Sequence, residues 1–101
     1  MIAADWNLDL DHLALTFDKP LVVQPLANVN WLLSLGKDGG GGTIVPDDAM
    51  VVAGVPEVVE LAFGAPVGGD AFSIEYFAAP PDVVGAPPNG ASVAAVVLPL
   101  A

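Results

Sequence analysis

Glycine and proline interrupt this chain so often that no long regular element can run through it. Eleven glycines and ten prolines are spread along 101 residues and cut the apolar side chains into short pieces. Such punctuation suits strands of a few residues separated by turns; a helix needs roughly ten residues free of breakers. The breaker-free windows alternate with period 2. From Ile2 to Phe17, Trp6, Leu8 and Leu10 alternate with Asn7, Asp9 and Asp11, and then Leu13, Leu15 and Phe17 alternate with His12, Ala14 and Thr16. The phase flips once, at Asp11-His12, which predicts either two short strands joined there or one long strand with a bulge.

Further strands are expected over Val29 to Leu35, with Trp31 as a core anchor, over Thr43 to Val45 and Met50 to Ala53 on either side of a turn at Pro46-Asp47-Asp48, and over Val58 to Phe63. Ala71 to Phe77 alternates best, placing Phe72, Ile74 and Tyr76 on one face and Ser73 and Glu75 on the other. Ala91 to Leu98 closes the chain after two proline-bearing turns, Pro80-Pro81-Asp82 and Ala86 to Gly90. Gly39 to Gly42 offers no side chains to pack and reads as a mobile, linker-like loop. About seven short strands in one chain of this length predict an all-β fold: a single antiparallel β-sandwich domain over residues 1–101. Its core anchors are Leu15, Phe17, Trp31, Leu61, Phe63, Phe72, Ile74 and Tyr76. Leu13 to Leu21 and Val59 to Val67 share the pattern Leu-x-Phe-x-x-Pro-aliphatic, as two core strands would if each left its sheet at a proline.

The order of these segments resembles the bacterial Ig-like domains repeated in surface-layer, adhesin and cyanobacterial motility proteins. Leu15-Thr16-Phe17-Asp18-Lys19-Pro20-Leu21 is similar to that family's second strand, and Val59 to Tyr76 is similar to its "v-x-L-x-L/F-x-x-P-V-x-x-G-D-x-x-x-V-x-Y" stretch. Asp82 and Asn89-Gly90 match its last loop loosely, with the dipeptide reversed. The resemblance implies an Ig-like sandwich. Family members occur as tandem modules in secreted chains, whereas Met1 to Asp5 reaches an acid without any Lys or Arg, unlike a secretory signal. The expectation is therefore a stand-alone module of the kind met in tailed-phage virions.

Charge narrows the function classes. Two basic residues, Lys19 and Lys37, stand against twelve acids, for a net charge of −10. Nucleic acid and anionic membrane surfaces both require a Lys/Arg patch that this chain cannot build. The longest apolar run, Val93 to Ala101, is far short of a bilayer span. Without cysteine there is no disulfide framework and no thiolate chemistry.

Catalytic constellations are equally thin. The single His12 sits among Leu10, Asp11 and Leu13, and none of the five hydroxyls (Thr16, Ser34, Thr43, Ser73, Ser92) lies in a nucleophile-elbow motif. His12 reads as structural and solvent-facing, its pKa raised by nearby acids. Carboxylates at Asp47, Asp48 and Asp82, with Asp5, Asp9 and Asp11, could converge on calcium at one end of a sandwich, yet no D-x-[DN]-x-[DN]-G loop is present, and no metal or other cofactor is expected. Turn propensity accounts for these acids equally well.

What the composition does favour is an interaction protein. Hydrophobic residues make 54% of the chain and the mean hydropathy is +0.67, so more apolar side chains exist than one small core can hide. The uncharged stretch after Asp82 is the expected partner surface, with Val83, Val84, Val97, Leu98 and Leu100 as candidates. The expected function is a non-catalytic structural module in a virion, docking on a capsid or tail scaffold or assembling with its own copies. The alternative is a carbohydrate- or cell-surface-binding adhesion module in which exposed Trp6, Trp31 or Tyr76 stacks on sugar rings.

Overall fold

Two four-stranded antiparallel sheets face each other in the computed structural model, which describes residues 3–77, 82–86, 93 and 96–100. The strands are β1 (Ala3–Trp6), β2 (His12–Thr16), β3 (Trp31–Leu35), β4 (Thr43–Ile44), β5 (Asp48–Val51), β6 (Val58–Ala62), β7 (Ala71–Tyr76) and β8 (Val96–Pro99). One sheet runs β1-β2-β6-β5 and the other β4-β3-β7-β8. That is the strand order of an immunoglobulin-type sandwich, ABED against CFG with one added strand beside C. Trp31 takes the place of the tryptophan such sandwiches bury on strand C. With no cysteine to pack on, its ring lies 4.6 Å from that of Tyr76.

Period-2 alternation explains the core directly. In β2 and β6 the inward residues Leu13, Leu15, Val59 and Leu61 are fully buried, and the register pairs Leu13 with Leu61 and Leu15 with Val59. Across the sandwich Trp31 pairs with Tyr76 and Leu33 with Ile74, all four fully buried. Each such side chain contributes roughly 1.5–3 kcal/mol through its removal from water. Phe17 and Phe63, where the two Leu-x-Phe-x-x-Pro segments leave their strands, are both buried.

The phase flip at Asp11-His12 is a hairpin. β1 and β2 pair antiparallel, with Trp6 opposite Leu13, and residues 7–11 turn between them. Leu10 carries a left-handed backbone (φ 59°), and both Leu8 and Leu10 are exposed. Pro46-Asp47 is no hairpin turn: β4 pairs with β3 and β5 with β6, so the chain changes sheets there. Val29 and Asn30, expected as the start of a strand, form with Asn28 a short 3-10 turn before β3 begins. The last strand starts at Val96; residues 91, 92, 94 and 95 lie outside the described set, as do 78–81 and 87–90.

β8 is the outer strand of its sheet. Its pairing to β7, continued by the Leu100 N–H donating to the Phe72 carbonyl (2.7 Å), directs the backbone polar groups of Val97 and Pro99 away from β7. Proline has no N–H, so along β8 the open edge carries a single donor, on Val97.

Candidate functional site

Among the described residues, a concavity lies where the β3–β4 loop meets the start of β7. Its position follows from an irregularity in the sheet. Ser34 pairs with Ser73 but Leu35 pairs with Ala71, so Phe72 is an extra residue, a β-bulge. The bulge breaks the alternation of β7 and corrects the sequence expectation. Phe72 is only half-buried and does not pack on the core, while Ser73 is buried. Phe72 instead lines a 390 Å³ groove with residues 36–38 and 69–71.

The glycine run beside it is a folded loop. Gly41 N–H donates to the Leu35 carbonyl (2.8 Å), Gly40 N–H to Lys37 (3.1 Å), and Leu35 N–H to Gly42 (2.9 Å). Gly36 has φ 78°, and a Cβ there would meet Gly41 Cα at 2.8 Å, so only glycine fits this close crossing. Asp38 is left-handed as well (φ 59°), a conformation Asp tolerates better than most residues. Because Gly36 N–H also donates to the Asp70 carbonyl (2.8 Å), the groove wall is tied to the β6–β7 connection.

The same end of the sandwich holds His12. Its Nδ1 lies 2.9 Å from the Asp11 carboxylate, which accepts a second hydrogen bond from the Asn7 amide (3.0 Å). Asn7 Oδ1 accepts from the backbone N–H groups of Asp11 and His12. The Asp11 hydrogen bond, reinforced by the charges of Asp11, Glu60 and Asp9, raises the His12 pKa against a smaller desolvation effect. His12 and then Asn7 lower that of Asp11. The ring's partners are a carboxylate and an amide, with no hydroxyl among them, so the arrangement closes a turn and builds no nucleophile. The turn is latched to residues 67–68, whose N–H groups both donate to the Leu10 carbonyl (2.8 and 3.1 Å).

At the opposite end Tyr76 and Asp82 are consumed in a structural network. The Tyr76 hydroxyl donates to Asp82 Oδ1 (2.8 Å) and accepts from the N–H groups of Asp82 (2.8 Å) and Val83 (2.9 Å). Asp82 Oδ2 accepts from Ala27 N–H at 2.7 Å. Burial raises the Tyr76 pKa and so keeps the donor in place. Among the described residues no group of three His, Asp or Glu side chains is placed to hold a metal ion; Asp82 in particular is spent on tyrosine and backbone.

The expected partner surface changes most. Val83 is fully buried, part of the core, because its N–H must reach the Tyr76 hydroxyl. Val84 is half-buried, its carbonyl taken by Val22 N–H. Leu98 and Leu100 are half-buried against the core, and of the five candidates Val97 alone is exposed. The exposed apolar residues lie elsewhere. Segments 17–30 and 52–57, Phe77 and residues 82–86 are stitched together by hydrogen bonds such as Leu21 N–H to Pro56, Val22 N–H to Val84 and Phe77 N–H to Asn30. They present Val23, Val29, Val55 and Phe77 at 42–62% exposure. Of this set, Val55 lies in the apolar segment Val51 to Pro56 that the sequence offers as partner surface; Val29 and Phe77 read instead as ends of strands, and nothing in the local pattern marks Val23. Trp31 and Tyr76 are fully buried, and Trp6 is half-buried with its ring 5.7 Å from that of Phe63, so none of the three is an open stacking platform.

Comparison with known proteins adds no relative: no protein-family model, curated protein or solved structure matches the chain. The chain's own topology is that of an all-β sandwich with immunoglobulin-type strand order.

Proposed function

We propose that this chain is a non-catalytic interaction module that docks by one end of its sandwich on a larger protein scaffold. The observation that supports the reading is a group of four exposed apolar side chains at one end of the sandwich. Val23, Val29, Val55 and Phe77 are exposed at the end opposite the groove, in loops that come together there, while Leu8 and Leu10 are exposed singly in the turn at the groove end. Apolar side chains grouped on a small acidic domain mark a surface that a partner covers. The resemblance to bacterial Ig-like domains, and the occurrence of such modules on tailed-phage particles, favour a capsid or tail as the scaffold. Repeated copies on a lattice would let a weak single contact hold by avidity.

Co-sedimentation tests this. The protein should travel with assembled particles from the source in which it is made, at fixed stoichiometry, and Val29→Ser with Phe77→Ser should abolish the association while leaving the circular dichroism spectrum intact. A folded monomer with no affinity for such particles would sink the proposal.

A further inference from the structure

We infer that the groove at the bulged start of β7 is a binding subsite for a neutral polyhydroxylated ring, a pyranose. Phe72 is displaced by the bulge, is half-buried, and does not pack against the core cluster. A half-buried aromatic ring in a concavity is a platform for the C–H face of a sugar. Around it stand one cationic donor, Lys37, and two carboxylate acceptors, Asp38 and Asp70, which together can serve hydroxyls that donate and accept at once.

An anion is refused. Both carboxylates oppose it, and four of the nearby N–H groups are engaged internally: Gly36 to Asp70, Gly40 to Lys37, Gly41 to Leu35, and Asp70 to Val67. A cation meets Lys37, one of only two lysines in the chain. A purely apolar ligand would desolvate three charged groups. The groove volume of 390 Å³ lies in the range of small-ligand sites. It is also unobstructed at Gly69, where an added Cβ would meet nothing within 4 Å. The site lies at the far end from the proposed docking surface and does not depend on it; a module seated by its apolar end would present this groove outward.

The experiment is an amide chemical-shift titration of the isotope-labelled protein with the methyl glycosides of glucose, galactose, mannose and N-acetylglucosamine, each to about 10 mM, which suits a Kd of about 1 mM. At least one glycoside should shift the amides of residues 36–38 and 69–72 in a saturable way. Phe72→Ala, which removes the platform, and Gly69→Trp, which fills the groove, should each weaken that binding about tenfold or more while the rest of the spectrum stays in place. Absence of saturable shifts with every glycoside would overturn the inference, as would shifts that survive both variants. Equal or tighter binding of n-butylammonium or inorganic phosphate at these amides would overturn the ligand class. The Val29→Ser and Phe77→Ser variants should bind the glycoside like the parent, so failure of the docking proposal and failure of this one are separate results.

Discussion

Tyr76 shows how one side chain can settle the fate of a segment. Its hydroxyl caps the N–H groups of Asp82 and Val83 and ties the Asp82 carboxylate to the body of the sandwich. Tyr76→Phe leaves two backbone donors without an acceptor at a cost of about 2–4 kcal/mol, which urea denaturation should show as a lower midpoint at unchanged slope. His12 makes a weaker, pH-dependent contribution. Its raised folded pKa means that its stabilisation is fully present below the ordinary histidine value of about 6.5 and is lost as pH rises through the higher folded value. The lowered Asp11 pKa acts in the other direction, its stabilisation present above about 3.9 and lost as pH falls through the folded value. The pair therefore supports the fold most between those limits, and the melting temperature of the parent should fall between pH 5 and pH 8 by more than that of His12→Gln.

At the scale of elements, the parts with a two-residue period were legible in the sequence and the departures from it were not. Leu13, Leu15, Val59 and Leu61 reveal β2 and β6 because each inward side chain is separated from the next by an outward one. Phe72 fits the same rule on paper and breaks it in space, since a bulge depends on the partner strand, and no pattern within Ala71 to Tyr76 records it. The change of sheet at Pro46-Asp47 was hidden for a related reason: a proline-aspartate turn between two apolar segments reads alike whether the segments pair with each other or with strands elsewhere. The groove escaped notice altogether, its walls coming from residues 36–38 and 69–72 that only the fold brings together. Gly36 and Gly69 give a contrasting pair of tests on those walls. Gly36→Ala forces a Cβ into a left-handed, crowded position and should cost about 1–2 kcal/mol or more. Gly69→Ala meets open space and should stay within about 0.5 kcal/mol of the parent. Thermal melts of the two variants decide whether the β3–β4 loop is as firmly folded as its hydrogen bonds imply.

For the whole molecule, one apolar cluster spans both sheets, from Leu13 and Leu61 to Trp31, Ile74 and Val83. Leu61→Ala removes a fully buried side chain from its centre and should cost about 2–5 kcal/mol, a large share of the 5–15 kcal/mol that holds such a domain; loss of the cooperative melt at 37 °C would be the direct readout. The net charge of −10 acts on the molecule as a unit. It keeps copies apart at neutral pH, and near the isoelectric point of about 4.1 that repulsion vanishes. Light scattering should then show self-association, which Phe77→Ser and Val29→Ser reduce.

The single donor along the open edge of β8 limits what crowding can do to this protein. A strand from a neighbouring copy would find one N–H at Val97 and none at Pro99, too few to zip two sheets into a continuous ladder. Along this edge, two copies brought close together stay separate domains, because β8 offers too little backbone to extend its sheet into a neighbour's.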